Sequence, residues 1–195
     1  MIRHYPANQL PVAVYDDYVV SGLALGKGTS PPDLEVFRDG LEQYAFVGTG
    51  VLVEEAYFTV HLLHGLKQGS DMTFHCHWSH KIASPTGNVK WQIEYAIARG
   101  YGAGTFPAST TLSSTQAAPA QYVHVITPDD DMTVSSAVEV EPDSLILARV
   151  FRDPADAADT FENDAMLFQV DIHYQRLHVG TIERNRPWTS TGYAA

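Results

Sequence analysis

Residues 71–78, Asp-Met-Thr-Phe-His-Cys-His-Trp, alternate between large apolar and polar side chains. The apolar ones share one face of the segment: Met72, Phe74, Cys76 and Trp78. A repeat of two residues is that of a β-strand, because successive side chains point to opposite faces of a sheet. Residues 89–97 and 166–175 show the same alternation. The chain is therefore predicted to form antiparallel sheets with one face on a core and the other nearer water.

Turn signals separate further candidate strands along the chain. These strands are predicted over 44–53, 55–63, 121–126, 132–140 and 145–152. In residues 166–175 the predicted core face is every second residue from Met166 to Tyr174. Residues 84–88, Ser-Pro-Thr-Gly-Asn, predict a hairpin loop, since Pro presets a turn and Gly accepts a positive φ. About eight or nine strands predict an all-β sandwich or barrel; the jelly roll is the eight-strand, two-sheet form, and periodicity alone does not separate it from other sandwiches.

Two segments lack this regularity. Residues 1–40 contain several Gly and Pro residues and little alternation, so they are predicted to form an extended N-terminal arm with little regular structure. Residues 100–120 are rich in small residues and predict a long loop, which in a compact domain is usually functional or mobile. The β-sandwich domain is then expected over 41–188, followed by a flexible tail at 189–195.

Composition excludes several classes of function. The chain has 195 residues, the size of one domain, with 18% charged residues and a net charge of -11. Twelve basic residues against 23 acidic ones argue against binding nucleic acid or an anionic membrane surface. The first residues lack the apolar core of a signal peptide, and no apolar run is long enough for a membrane-spanning helix. The single cysteine, Cys76, cannot form an intrachain disulfide, and we expect it to be a small buried hydrophobe in a protein made in a reducing compartment.

Histidine provides the sharpest local signal. His75 and His77 lie two residues apart on one predicted strand face, and His173 lies on the polar face of another strand. Three such imidazoles would form a metal site similar to that of cupin metalloenzymes, with Glu94 as a possible carboxylate ligand. The run of Gly and Glu typical of cupins after the paired histidines is absent, because residues 79–82 are Ser-His-Lys-Ile. Hydrogen-bonded or solvated histidines are therefore the favoured interpretation, and no metal, cofactor or catalytic residue is expected.

Other polar motifs predict structural roles. Residues 22–29 superficially resemble a phosphate-binding loop, but Gly28 separates Lys27 from Thr29 and no helix pattern follows. Residues 129–131, three consecutive Asp, predict a solvated acidic loop. Arg149 and Arg152 lie on opposite strand faces; Arg149 is expected to pair with a carboxylate, and Arg152 to brace a strand end beside Asp153.

Taken together, several stretches resemble small structural proteins of tailed bacteriophages. The matching stretches are 15–18, 32–40, 75–78, 91–95, 148–153 and 164–174. Their order and spacing extend the resemblance over about residues 15–185, with departures at Ala148 and in the 100–120 insertion. The resemblance implies a virion component with a β-sandwich of jelly-roll type, assembled in the host cytoplasm.

Three functions follow as hypotheses. The first is a non-enzymatic capsid decoration or cement protein, a homotrimer that bridges the major capsid protein or other virion proteins and binds neither nucleic acid nor membrane. Its expected intersubunit contacts come from the irregular segments and their aromatic residues: Tyr15, Tyr18, Phe37, Tyr101 and Phe106. The second is a tail- or fibre-associated module that binds host glycan. The third is a cupin-like metalloenzyme that uses His75, His77 and His173.

Overall fold

Two antiparallel β-sheets make up the part of the chain that the structure describes. The computed structural model describes residues 14–102, 104–128, 130–134 and 140–176. The strands are β1 (Val14–Ser21), β2 (Gly26–Lys27), β3 (Asp33–Arg38), β4 (Leu41–Phe46), β5 (Glu54–His61), β6 (Met72–Ser79), β7 (Asn88–Ala98), β8 (Thr110–Ala117), β9 (Val125–Ile126), β10 (Thr133–Val134), β11 (Leu145–Arg152) and β12 (Ala165–Arg176). A 3-10 turn, Gly22–Ala24, is the one helical segment among these described residues, and none of them belongs to a helix able to span a membrane.

The strand order is that of a jelly roll. Sheet A has the order β10-β6-β12-β4-β3, with β1 also paired to β12 and β9 to β6. Sheet B has the order β2-β5-β11-β7-β8. The chain therefore passes repeatedly from one sheet to the other, and β12, the last of the described strands, lies between β6 and β4 in sheet A. The predicted all-β, antiparallel, jelly-roll sandwich is confirmed.

Large apolar side chains fill the space between the sheets. Trp91 of sheet B packs edge-on against Phe46 of sheet A at 5.1 Å between ring centroids, and against Trp78 at 6.3 Å. The indole Nε1–H of Trp78 donates to Gln116 Oε1 at 2.9 Å. Each large apolar side chain contributes about 1.5–3 kcal/mol to the stability of the fold when it is fully buried. The predicted core faces of β6 and β7 are confirmed, and Cys76 is fully buried, so burial raises the pKa of its thiol.

The predicted N-terminal arm is wrong where the structure describes it. Residues 14–40 contain β1, β2 and β3, and β1 pairs with β12 along its whole length, from Val14 opposite Arg176 to Ser21 opposite Gln169. The residues of β1 alternate between exposed and half-buried rather than between exposed and buried, which is why their periodicity is weak. The remainder of that segment, residues 1–13, and the predicted tail at 189–195 lie outside the described residues.

Two predicted loops are also corrected. Residues 110–117 of the predicted 100–120 loop form β8, an edge strand that pairs with β7. Most of its residues are Thr, Ser and Gln, so it lacks an apolar signature. Residues 84–88 do not close a hairpin, because β6 belongs to sheet A and β7 to sheet B. Gly87 still has a positive φ of +95°, and a Cβ there would meet the carbonyl oxygen of Thr160. The crossing between the sheets therefore requires glycine at this position.

A β-bulge interrupts the predicted alternation of β12. The register with β6 shifts between Leu167 and Gln169. Leu167 joins the core before the shift, and Val170 and Ile172 join it afterwards. Phe168, predicted to face the core, is only half-buried and packs against Phe37 at 5.0 Å between ring centroids.

The boundaries of the other predicted strands shift as well. Strand β4 ends at Phe46 rather than residue 53, and β9 spans Val125–Ile126 rather than 121–126. Strand β10 covers Thr133–Val134 of the predicted 132–140, of which 135–139 lie outside the described residues. Strands β5 and β11 agree closely with prediction.

Arg152 connects the two sheets through a buried ion pair. Its guanidinium makes two hydrogen bonds to the carboxylate of Asp159, both at 2.8 Å, and both side chains are fully buried. It also donates to the carbonyl oxygens of Phe46 at 3.0 Å and Asn163 at 2.7 Å. These contacts agree with the prediction that Arg152, next to Asp153 in the sequence, braces a strand end, and they show that its carboxylate partner is Asp159.

We predict that Arg152→Met strongly destabilises the fold. Methionine has a similar length but no charge, so Asp159 would remain buried and unpaired, which costs about 3–5 kcal/mol. The measurement is urea unfolding of the purified chain. The control is Arg176→Met, because Arg176 pairs with Asp16 at a partly exposed site, where such pairs contribute about 1 kcal/mol or less. Equal losses in the two variants would contradict a special role for the buried pair.

Candidate functional site

Histidine and aspartate side chains cluster on the outer face of sheet A. Strands β6 and β12 place His75 opposite Asp171, and strands β1 and β12 place Asp17 opposite His173. Residues directly opposite in antiparallel strands share one face of the sheet. The cluster on this face consists of Asp17, His75, His77, His124, Asp171 and His173.

Hydrogen bonds link most of these side chains. His77 Nε2–H donates to Asp171 Oδ2 at 3.1 Å, which leaves His77 Nδ1 to accept from His124 Nε2–H at 2.9 Å. His75 Nδ1–H donates to the carbonyl oxygen of Thr127 at 3.0 Å. Burial, and to a lesser extent the neighbouring His77, lowers the pKa of His124, so its neutral form is favoured. These contacts agree with the predicted role of the histidines in hydrogen bonding.

The alternative three-histidine metal site is not assembled as predicted. The rings of His75 and His173 lie 4.0 Å apart between centroids, but His77 turns toward His124 and Asp171. Glu94 lies on sheet B and binds Arg149, so it cannot complete the set.

A different group of ligand atoms does come together. Among the described residues, the atoms gathered within 4.8 Å of one another are those of Asp17, Asp171 and His173. Asp171 could have been found from its spacing of two from His173 on one strand face. Asp17 could not, because its contribution depends on the pairing of β1 with β12, which the weak alternation of β1 hides.

A polar pocket of about 680 Å³ opens beside this cluster. His173 lines it together with Tyr15, Lys67, Asp71, Asp130 and Gln175. Lys67 Nζ donates to Gln175 Oε1 at 2.7 Å, and Gln175 Nε2 donates to Tyr15 Oη at 3.2 Å. The pocket therefore combines one exposed aromatic ring with hydrogen-bond donors and acceptors, some of them positively and some negatively charged.

The five predicted contact residues differ in their availability. Tyr15 is 72% exposed and Phe106 40% exposed. Tyr18 stacks on Tyr174 at 4.3 Å between ring centroids and accepts a hydrogen bond from the Leu63 amide. Phe37 packs against Phe168 and Tyr122 within the subunit. Tyr101 is half-buried. Contact with another subunit remains a prediction for all five, of which Tyr15 and Phe106 are the exposed ones.

The loop between β4 and β5 exposes two adjacent large apolar residues. Val51 is 87% exposed and Leu52 54% exposed, directly after Gly50 with a φ of +94°. The alternating pattern assigned these residues to a strand, so their exposure was not foreseen. Scattered exposed apolar residues are ordinary on a protein surface, whereas contiguous ones mark contact surfaces, so this adjacent pair is a candidate contact site.

Arg149 organises the outer face of sheet B. Its Nε donates to Glu94 Oε2 at 2.6 Å, and its Nη1 donates to Glu55, which confirms the expected carboxylate partner. Hydrogen bonds from Ser109 and Arg149 hold the pKa of Glu94 below its ordinary value. Burial raises the pKa of Glu55, but hydrogen bonds from Arg149 and the Thr29 amide outweigh it and lower the pKa.

Comparison with known proteins leaves the family open. No protein-family model matches the chain, and no curated protein matches it as a relative. The structure of the Gx strain of infectious bursal disease virus matches over 84% of this chain with 7% identity and a TM-score of 0.39. The crystal structure of the VP2 subviral particle of that virus matches over 84% with 7% identity and a TM-score of 0.40. The chain spans 32% of each of those chains, and at these TM-scores the likeness assigns it no function.

The Arg149 pairs predict an acid-sensitive contribution to stability. The folded-state pKa values of Glu55 and Glu94 lie below the ordinary value of 4.5. The pairs therefore stabilise the fold above that pH, and this stability is lost as the pH falls through the folded-state pKa values. We expect Arg149→Met to flatten the fall in unfolding free energy between about pH 6 and pH 3.

The measurement is urea unfolding across that pH range. The control variant Arg38→Met removes an exposed pair with Asp39 and is expected to keep the wild-type slope. Burial raises the pKa of Glu54, which acts in the opposite direction, but Glu54 is present in both variants and cancels in the comparison. A wild-type slope in Arg149→Met would contradict the assignment.

Proposed function

We propose that this chain is a structural component of a tailed-phage virion, a capsid decoration or cement protein that bridges neighbouring subunits. It would act without catalysis, as a homotrimer, with the major capsid protein or other virion proteins as partners. The observation that carries the proposal is the exposed apolar turn at Val51 and Leu52. Burying this turn against an assembled shell would remove apolar surface from water. Each Å² removed would stabilise the contact by about 25 cal/mol.

Further features of the chain support this function. The resemblance of its ordered stretches to tailed-phage structural proteins implies a jelly-roll virion component, and the fold agrees. Tyr15 and Phe106, two of the predicted contact residues, present exposed rings. A net charge of -11 suits a protein on the outside of a shell rather than one bound to the genome.

Removal of the protein from purified particles is expected to lower their thermal stability. Because a partner that binds only the assembled shell stabilises it by mass action, adding back wild-type protein should restore the original melting temperature. The double variant Val51→Asp and Leu52→Asp should fold normally but fail to rebind, since it places two charges in the contact. Binding is measured by sedimentation with stripped particles, and particle stability by differential scanning calorimetry.

The control is Val123→Asp, which adds a charge at an exposed apolar residue of another loop. It should rebind like wild type. Stripped particles that withstand heat as well as intact ones would exclude the cement role. Antibody labelling confined to the tail tip would exclude a position on the capsid.

The pocket beside Tyr15 favours a second candidate, a tail- or fibre-associated module that binds host glycan. An exposed aromatic ring next to Lys67, Asp71 and Asp130 offers one apolar surface and several hydrogen-bonding groups to a sugar.

If this second function holds, Tyr15→Ala should weaken binding of purified host-surface polysaccharide at least about tenfold, the equivalent of 1.4 kcal/mol. Tyr57→Ala, at an exposed tyrosine on sheet B, should not. Binding is measured by isothermal titration calorimetry with the full chain. Absence of binding to the polysaccharide, or equal binding by the two variants, would exclude a glycan site at this pocket.

A further inference from the structure

We propose that Asp17, Asp171 and His173 bind one divalent transition-metal ion, zinc being the best match, and that this ion fastens β1 to β12. The site differs from the three-histidine arrangement considered from the sequence, and it is independent of where the protein sits on a particle.

The donor set and its spacing suit such an ion. Two carboxylates and one imidazole are ordinary zinc ligands, with bonds of about 2 Å. Two ligand atoms of a tetrahedral site with such bonds lie about 3.3 Å apart. His173 Nε2 and Asp17 Oδ1 already lie 3.0 Å apart, and all three ligand atoms lie within 4.8 Å of one another. Asp17 and His173 are partly exposed, so their side chains have room to rotate toward a common centre with Asp171.

The buried carboxylate provides the second observation. The Asp171 side chain is only 5% exposed, and its Oδ1 makes no hydrogen bond within the described part of the chain. Both carboxylate oxygens lie 3.1 Å from His77 Nε2, but the single N–H of that nitrogen is directed to Oδ2. A buried carboxylate oxygen without a donor is costly, and a cation at the centre of the cluster would satisfy it.

The surroundings complete the coordination sphere. His77 would hold Asp171 in orientation through its hydrogen bond, as outer-shell groups commonly do for metal ligands. Two carboxylates balance the charge of a divalent ion. His173 also lines the 680 Å³ pocket, so a fourth position on that side is open to water. Because Asp17 lies on β1 and the other two ligands on β12, the ion would cross-link the two strands.

A second histidine–aspartate cluster supplies a matched control. His61 Nε2 and His64 Nε2 lie 3.0 Å and 2.9 Å from the two oxygens of Asp143. Among the described residues, the ligand atoms of His61, His64 and Asp143 do not all lie within 4.8 Å of one another, whereas those of Asp17, Asp171 and His173 do. His61→Gln therefore removes an exposed histidine bonded to aspartate without touching the proposed site.

The test is isothermal titration calorimetry of the EDTA-treated full chain with zinc chloride and, separately, manganese chloride. We expect one zinc ion per chain in the wild type and in His61→Gln. Asp17→Asn, Asp171→Asn and His173→Gln should each weaken zinc binding at least about tenfold. Zinc should also raise the melting temperature of the wild type and of His61→Gln, but not that of Asp17→Asn.

Asp17→Asn keeps the proposal testable even if a change at buried Asp171 impairs folding, because Asp17 is on the surface. No binding of either ion to the wild type would overturn the proposal. Zinc binding that His61→Gln abolishes and Asp17→Asn retains would also overturn it, by placing the ion at Asp143. A zinc site confirmed here would stand whether or not the particle role is correct, since the titration uses the isolated chain.

Discussion

The buried ion pair between Arg152 and Asp159 is the constraint on which the rest of the fold depends. Arg152 lies at the end of β11 in sheet B, yet it donates to the carbonyl of Phe46 at the end of β4 in sheet A. Asp159 in turn accepts from the backbone amide of Lys90 on β7. One guanidinium and one carboxylate thus join both sheets and the segment between β11 and β12. Because each polar group has its partners, the charges are tolerated inside the sandwich.

That connection orders the segment that leads into β12, the central strand of sheet A. Along β12 the chain makes contacts with β6 on one edge and with β4 and β1 on the other. Strand β12 therefore brings the N-terminal strand next to the histidine-rich strand β6. The chemistry of the outer face, with side chains from three strands far apart in sequence, is a product of this one strand.

The alternation of apolar and polar residues predicted those strands that bury one face in the core. Strands β6 and β7 alternate clearly, and the structure places the apolar residues of one face of each strand in the core. Strands at the sheet edges were missed, because β1 and β8 are exposed along much of their length and need no apolar face. His75, His77 and His173 were found from spacing, whereas Asp17 and the exposed Val51 depend on strand pairing and on where β4 ends. The pairing of β1 with β12 and the end of β4 are set by contacts between distant parts of the chain. A short window of sequence therefore cannot reveal them.

The bulge in β12 has a consequence for the chemistry of the whole outer face. The side-chain period of a strand is two, so inserting or removing one residue exchanges its faces. Leu167 and Ile172 both reach the core only because the extra residue lies between them. Without it, Asp171 and His173 would point between the sheets, and Val170 and Ile172 would point to water. A single extra residue thus divides β12 into two parts of opposite phase and places its acidic and imidazole groups on the outer face of sheet A rather than between the sheets.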